Sequence, residues 1–267
     1  MHPTIAIDLF MRQKPVILHT GTMLMITSIA ICGIWFYQEF KDRLKFRNIL
    51  LFIISLTLAS VLGARLFHAI FERPTYFMAH PLEVLSSLEG MTFYGSFFMG
   101  AIAVAIYTKM IIRNPYLKRR IWDFSALSMA LTYGIMRVGC FMSGCCWGKI
   151  TPLPWAVRYF DTASVMPFKG IPVHPVQLYD AALGFALFAL LLGLRRMREW
   201  EGKLIIPTII IYPIGRFITE HFRGDTFRGE NVIAGLSTSQ VISVGLIVVG
   251  ILLYVEYVFI PGKRKAS

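Results

Sequence analysis

Seven stretches of the chain stay apolar for about the 20 residues that a helix needs to cross the hydrocarbon core of a bilayer. They run from Val16 to Gln38, Asn48 to Phe71, Met91 to Ile112, Ile121 to Cys145, Pro175 to Leu194, Leu204 to His221 and Ser237 to Pro261. Lipid offers no partner to an open backbone, so each stretch is predicted as a helix. The expected fold is all-α and integral to a membrane: seven transmembrane helices in a single polytopic domain over residues 1–267. No repeat, heptad run or low-complexity tract breaks the pattern. The connection from Trp147 to His174 is long for a bundle and rich in Pro and aromatics. Trp155, Tyr159 and Phe160 favour the membrane interface, so residues 147–174 are predicted to fold over the outer face as short interfacial segments.

Lys and Arg set the orientation. Fifteen lie after the first, third and fifth stretches and in the tail, against eight on the other side. The richer side faces the cytoplasm. The N-terminus is therefore expected outside, the C-terminus inside, and residues 147–174 in the periplasm.

Composition narrows the class further. The chain is 56% hydrophobic and only 16% charged, which leaves no room for a separate soluble domain. A net charge of +12 could suggest nucleic acid, but the basic residues sit in short clusters between apolar runs. No nucleic-acid partner is expected. Met1 to Lys14 lacks the pattern of a cleaved signal peptide.

Four basic residues lie inside the predicted spans: Arg65, Lys109, Arg137 and Arg216. Lys109 is close enough to the cytoplasmic end to snorkel. The three arginines fall in the outer half of helices two, four and six. Each costs at least about 2.5 kcal/mol in lipid, so they are expected to face inward and meet anions. Glu220, four residues after Arg216, shares its helix face, and Asp180 is a second candidate partner. A positive excess remains, which suits an anionic lipid headgroup, because Arg grips phosphate with a two-pronged fork. Tyr94, Gly95, Ser96, His174, Gln177, Tyr179 and Tyr212 map to the same level. The opposite half is nearly all apolar, which argues against a channel or transporter.

Of the four cysteines, Cys32 is read as a small core residue. Cys140, Cys145 and Cys146 cluster at the outer end of helix four. Close packing beside Gly139, Gly144 and Gly148, a disulfide, and a reactive thiol are all compatible with this spacing. A zinc site would want a second spaced pair or a matching His, and only His174 is available. No metal or cofactor is expected.

Read in order, the polar segments resemble one family. Arg137-Val-Gly-Cys-Phe-Met-Ser-Gly-Cys-Cys-Trp-Gly148 resembles the Arg-x-Gly-Asn-Phe-x-Asn-x-Glu-x-x-Gly signature of prolipoprotein diacylglyceryl transferases. His174-Pro-Val-Gln-Leu-Tyr179 resembles their His-Pro-x-Gln-Leu-Tyr segment, and Tyr212-Pro-Ile-Gly-Arg216-Phe-Ile-Thr-Glu220-His-Phe-Arg223 their Tyr-x-x-x-Arg-Phe-x-x-Glu-x-x-Arg stretch. Gly63-Ala-Arg65 and Thr92-Phe-Tyr94-Gly95 fall in the expected order. The resemblance implies an inner-membrane enzyme that moves the diacylglyceryl group of phosphatidylglycerol to the lipobox cysteine of a preprolipoprotein, releasing glycerol phosphate. It implies Arg137 and Arg216 on the phosphate and Tyr94 or His174 as proton acceptor. Arg65, Gly148, Gln177, Tyr212 and Glu220 would shape the substrate site. Cys140, Cys145 and Cys146 stand as possible reactive thiols. Tyr94-Gly95-Ser96 replaces the family's His-Gly-Gly, and Cys140, Ser143 and Cys145 replace its two Asn and its Glu. The alternative is a non-catalytic or altered-acceptor lipid-binding paralogue.

Overall fold

A computed structural model describes residues 4–7, 16–71, 74–86, 91–161, 164–167, 169–225 and 235–259. Among them six helices are long and apolar enough to cross a membrane: α1 (Thr20–Phe40), α2 (Phe46–Phe71), α5 (Phe93–Met110), α6 (Pro115–Ser143), α7 (Val176–Leu194) and α9 (Thr238–Phe259). Two short helices that the apolar pattern did not announce, α3 (Pro74–Ala79) and α4 (Pro81–Ser86), lie between α2 and α5. The remaining expected span, the sixth in order, is α8 (Ile205–Glu220), of 16 residues. At 1.5 Å per residue it is about 24 Å long, short of a full crossing.

The start of the chain departs from an all-α fold. Strand β1 (Thr4–Ile7) pairs antiparallel with β2 (Val16–His19), with Thr4 opposite His19. Val16 to His19 is thus strand rather than the first turn of a span. Its β-branched and aliphatic run is equally good as a strand, and α1 starts only at Thr20.

Local chemistry fixes the ends of the longest helix. The Asn114 side chain accepts from the Tyr116 and Leu117 amides, with Pro115 behind it, and Gly144 closes the other end at φ 70°. The outward faces carry Leu58, Ile34 and Leu252 largely exposed, as a lipid-facing surface requires.

Two features hold the helices in register. Gly63 of α2 and Gly95 of α5 cross so closely that a methyl group on either would run into the other's backbone carbonyl. Gly134 of α6 and Gly184 of α7 meet similarly, a Cβ on Gly184 lying 2.7 Å from the Gly134 nitrogen. Such small-residue crossings let helices touch along their backbones, where apolar side chains gain nothing over lipid. At one end of the bundle Glu39 of α1 meets Arg120 of α6 at 2.8 Å and also Arg195 beyond α7. Nearby, Asp123 of α6 accepts from the Gly202 and Leu204 amides at 2.6 and 3.1 Å. The opposite end holds the C-terminal turns of α6 and α8 with the N-terminal turns of α5, α7 and α9.

The segment after α6 forms no helix among its described residues. Instead Gly148 bridges Arg223, and Val173 bridges both Ile150 and Val157. Trp147, Tyr159, Met166 and Val173 bury against one another beneath it.

Candidate functional site

At that opposite end a chain of charged groups runs through the protein interior. Arg137, in the last turns of α6, places Nε 3.3 Å from Asp180 Oδ2 on α7, and its guanidinium lies 4.9 Å from the centre of the Tyr133 ring. Asp180 is wholly buried, and its other oxygen accepts from the Thr219 hydroxyl at 2.7 Å. Thr219 in turn accepts from Arg216 Nη1 at 3.3 Å. Arg216 pairs with Glu220 at 2.5 Å, and Glu220 also accepts from Ser237 at 2.9 Å. Glu220 faces Arg223 at 3.7 Å, and Arg223 closes a two-pronged contact on Asp225 at 2.9 and 2.5 Å.

Arg137, Arg216 and Arg223 therefore meet Asp180, Glu220 and Asp225. The pairings of Arg216 with Glu220 and of Arg137 with Asp180 follow the sequence expectation. Asp225 supplies a third carboxylate from outside any span. Arg223 ends the Tyr212 segment and was legible there. Asp225 carried no signal, since a single acid after a helix is ordinary. Arg65 is buried on α2 and lines neither of the two cavities that meet at Arg137.

Two cavities meet at Arg137. One, of about 320 Å³, lies between α1, α2, α5 and α6 and is walled by Phe, Met and aliphatic side chains with Ser and Thr hydroxyls among them. Arg137, Cys140 and Cys146 lie along it together with Thr92 and Phe93. The other, of about 50 Å³, is bounded by Arg137, Arg216, Tyr94 and Tyr212 and also by Thr92 and Phe93. Beside these arginines the hydroxyls of Tyr133 and Tyr212 are buried without a protein hydrogen bond. A buried hydroxyl left so costs of the order of 1–3 kcal/mol.

Tyr94 borders the small cavity and reaches α9. Its hydroxyl lies 2.7 Å from Ser243 Oγ, and Ser243 donates onward to the Ser239 carbonyl at 2.8 Å, so the phenol proton points to α9. His174 lies at the entry to α7, with Nδ1 3.3 Å from the Tyr179 hydroxyl and its ring 5.2 Å from that of Phe222. It lines neither cavity. Gly148 is a backbone junction: its amide donates to the His174 carbonyl at 3.2 Å, and a Cβ there would strike that same carbonyl. Gln177, buried, donates to the Cys145 carbonyl at 2.7 Å and to the Tyr159 hydroxyl at 3.3 Å.

All four cysteines are present as thiols. The Sγ atoms of Cys140, Cys145 and Cys146 lie within 4.8 Å of one another. The convergence depends on backbone geometry. Gly144 turns the chain at φ 70°, and Cys146 itself adopts φ 57°, a left-handed conformation uncommon outside glycine.

Membrane-length helices enclosing a buried arginine–carboxylate chain, which borders an apolar cavity, define a polytopic membrane protein with charged groups in its interior. The sequence profile of the family described as prolipoprotein diacylglyceryl transferase matches residues 9–256. A phosphatidylglycerol–prolipoprotein diacylglyceryl transferase of Clostridium tetani is 36% identical over 74% of this chain and 76% of its own length. One from Chromobacterium violaceum is 34% identical over 77% of both. The phosphatidylglycerol–prolipoprotein diacylglyceryl transferase 2 of Clostridium perfringens is 32% identical over 80% of this chain and 78% of its own length. The chain belongs to the prolipoprotein diacylglyceryl transferase family.

Proposed function

We propose that the protein transfers the diacylglyceryl group of phosphatidylglycerol to the lipobox cysteine thiol of preprolipoproteins in the bacterial inner membrane, with glycerol phosphate leaving. The observation that carries this reading is the shared position of Arg137. It borders the apolar cavity, which suits acyl chains, and with Arg216 it borders the small one, where two guanidiniums suit a phosphate. The hydroxyls of Tyr133 and Tyr212 would find there the acceptor oxygens they lack within the protein.

In this reading the thiol sulfur attacks the glycerol carbon, the C–O bond breaks, and the electron pair goes to the phosphate oxygen. Fixed guanidinium groups in a dry site stabilise that growing charge without reorganising. Asp180 and Glu220 hold Arg137 and Arg216 in place before lipid arrives. Tyr94 is proposed to tie α5 to α9 beside the phosphate rather than to take the proton, since its own proton is committed to Ser243. The topology we propose has seven spans with α8 as the sixth, the N-terminus outside, the site in the outer half, and residues 147–174 over the outer face. The whole chain would form one domain. The basic clusters between apolar runs support this orientation.

The test is rescue of a strain depleted of its own transferase. Wild type is expected to rescue and Arg137→Ala is not; an Arg137→Ala variant that rescues fully would remove the phosphate anchor. Failure of the wild type to rescue, with phosphatidylglycerol still co-purifying, would select a non-catalytic lipid-binding role, which the commitment of Tyr94 to α9 favours.

A further inference from the structure

Three thiols converge at the edge of the apolar cavity, and the arginine–carboxylate pairs are completed without them. Cys140 closes the last turn of α6. The left-handed turn at Gly144 and the left-handed backbone at Cys146 then bring Cys145 and Cys146 back over it. The Cys145 amide donates to the Cys140 carbonyl at 3.2 Å, and Gln177 clamps the Cys145 carbonyl from α7. A non-glycine residue held at positive φ costs about 1–3 kcal/mol and persists where the surroundings over-determine it, as at ligand clamps.

Sulfurs in a tetrahedral zinc site lie about 3.8 Å apart, given Zn–S bonds near 2.3 Å. The 4.8 Å limit on the present spacing leaves about 1 Å to close, within the reach of small side-chain rotations. A disulfide explains the arrangement less well. Cys145 and Cys146 are neighbours in sequence and pair poorly, and any bridge would leave one of three converging sulfurs over. Charge also fits. Arg137 and Arg223 both lie within electrostatic reach of Cys146, so a three-thiolate zinc centre, with its net single negative charge, would meet two guanidiniums.

We propose that Cys140, Cys145 and Cys146 form a three-thiolate site for a thiophilic d10 cation, Zn2+ being the fitting ion, with its fourth position turned to the cavity. Two of the three ligands, Cys140 and Cys146, line that cavity beside Arg137. The open position takes an acceptor thiol, a role that rests on the transferase reading above. On binding, the acceptor displaces a water and gives its proton to solvent, because a coordinated thiol is deprotonated outright. The sulfur pair then forms the bond to the glycerol carbon, and glycerol phosphate leaves with the C–O pair. The product thioether, a weaker ligand than thiolate, is released to water. Zinc would thus supply the activated thiolate in a chain where Tyr94 stands in place of His.

The experiment is elemental analysis of the full-length protein purified in detergent without chelator, together with Co2+ replacement read by absorption. Stoichiometric zinc and a sulfur-to-cobalt charge-transfer band in the wild type are expected. Cys140→Ser, Cys145→Ser and Cys146→Ser should each weaken the metal by at least about tenfold, the loss typical of removing even an outer-shell partner. Wild-type protein that, after thiol reduction, neither carries zinc nor gives the cobalt band overturns the site. So does a Cys140–Cys146 disulfide as the isolated state. Transfer to a lipobox peptide is measured in parallel. Zinc bound without transfer would sink the transferase reading and leave the site standing. Transfer that survives zinc removal would sink the thiol-activating role alone.

Discussion

Asp180→Asn separates the two duties assigned to Arg137. The substitution keeps the volume of Asp180 and an oxygen for the Thr219 hydroxyl, now 2.7 Å away, but removes the charge facing Arg137 Nε at 3.3 Å. Both partners are buried, Asp180 completely. Removing one member of a buried ion pair typically costs about 3–5 kcal/mol, because the other is left uncompensated. Retaining the Thr219 bond saves about 1 kcal/mol of that, so a loss of roughly 2–4 kcal/mol is expected. At roughly 2–4 °C per kcal/mol for a chain of this size, the thermal midpoint in detergent should fall by about 10 °C. An anionic lipid should repair much of this loss, since its phosphate can replace the missing carboxylate. The assay is thermal unfolding with phosphatidylglycerol and with phosphatidylcholine. The variant should gain more from phosphatidylglycerol than wild type does, and neither should discriminate in favour of phosphatidylcholine. If Asp180→Asn unfolds at the wild-type midpoint, or gains no more from phosphatidylglycerol than wild type, Arg137 is not an anion anchor held in reserve by Asp180.

Other consequences are equally checkable. Tyr94→Phe should retain rescue of a transferase-depleted strain while losing about 1 kcal/mol of stability from the Ser243 bond; loss of rescue with intact expression would restore the phenol as a chemical participant. Gly63→Ala should force α2 from α5 at the carbonyl of Gly95, costing about 1–3 kcal/mol or more as overpacking does, visible as a lowered thermal midpoint. Glu39→Gln unties Arg120 and Arg195 at the end of the bundle remote from the site; those pairs are partly exposed, so a cost of about 1 kcal/mol or less is expected, with transfer rates unchanged.

Much of this protein was readable before any coordinates. A bilayer admits only chains that satisfy their own backbone, so hydrophobic length alone placed the helices to within a few residues at most ends. The exceptions are local. Val16 to His19 is as good a strand as a helix start, and pairing with Thr4–Ile7 decides between them. The helices α3 and α4 are too short for a hydropathy window. The i, i+4 spacing announced Arg216 with Glu220, because helix geometry alone brings them together.

Contacts between helices were beyond the sequence. How α2 is rotated against α5 depends on the tight crossing at Gly63 and Gly95, which no periodicity announces. Depth along a helix is linear in residue number and can be counted. Azimuth depends on every neighbour and cannot. The same holds for the thiols: a spacing of five and six residues gives no metal signature, and only the left-handed turns at Gly144 and Cys146 bring three sulfurs to one point. What the chain determined by itself is where lipid must lie and which charges must hide from it. Which of those charges share a cavity is decided by the packing of helices far apart in sequence, and which thiols meet by the left-handed turns that follow α6.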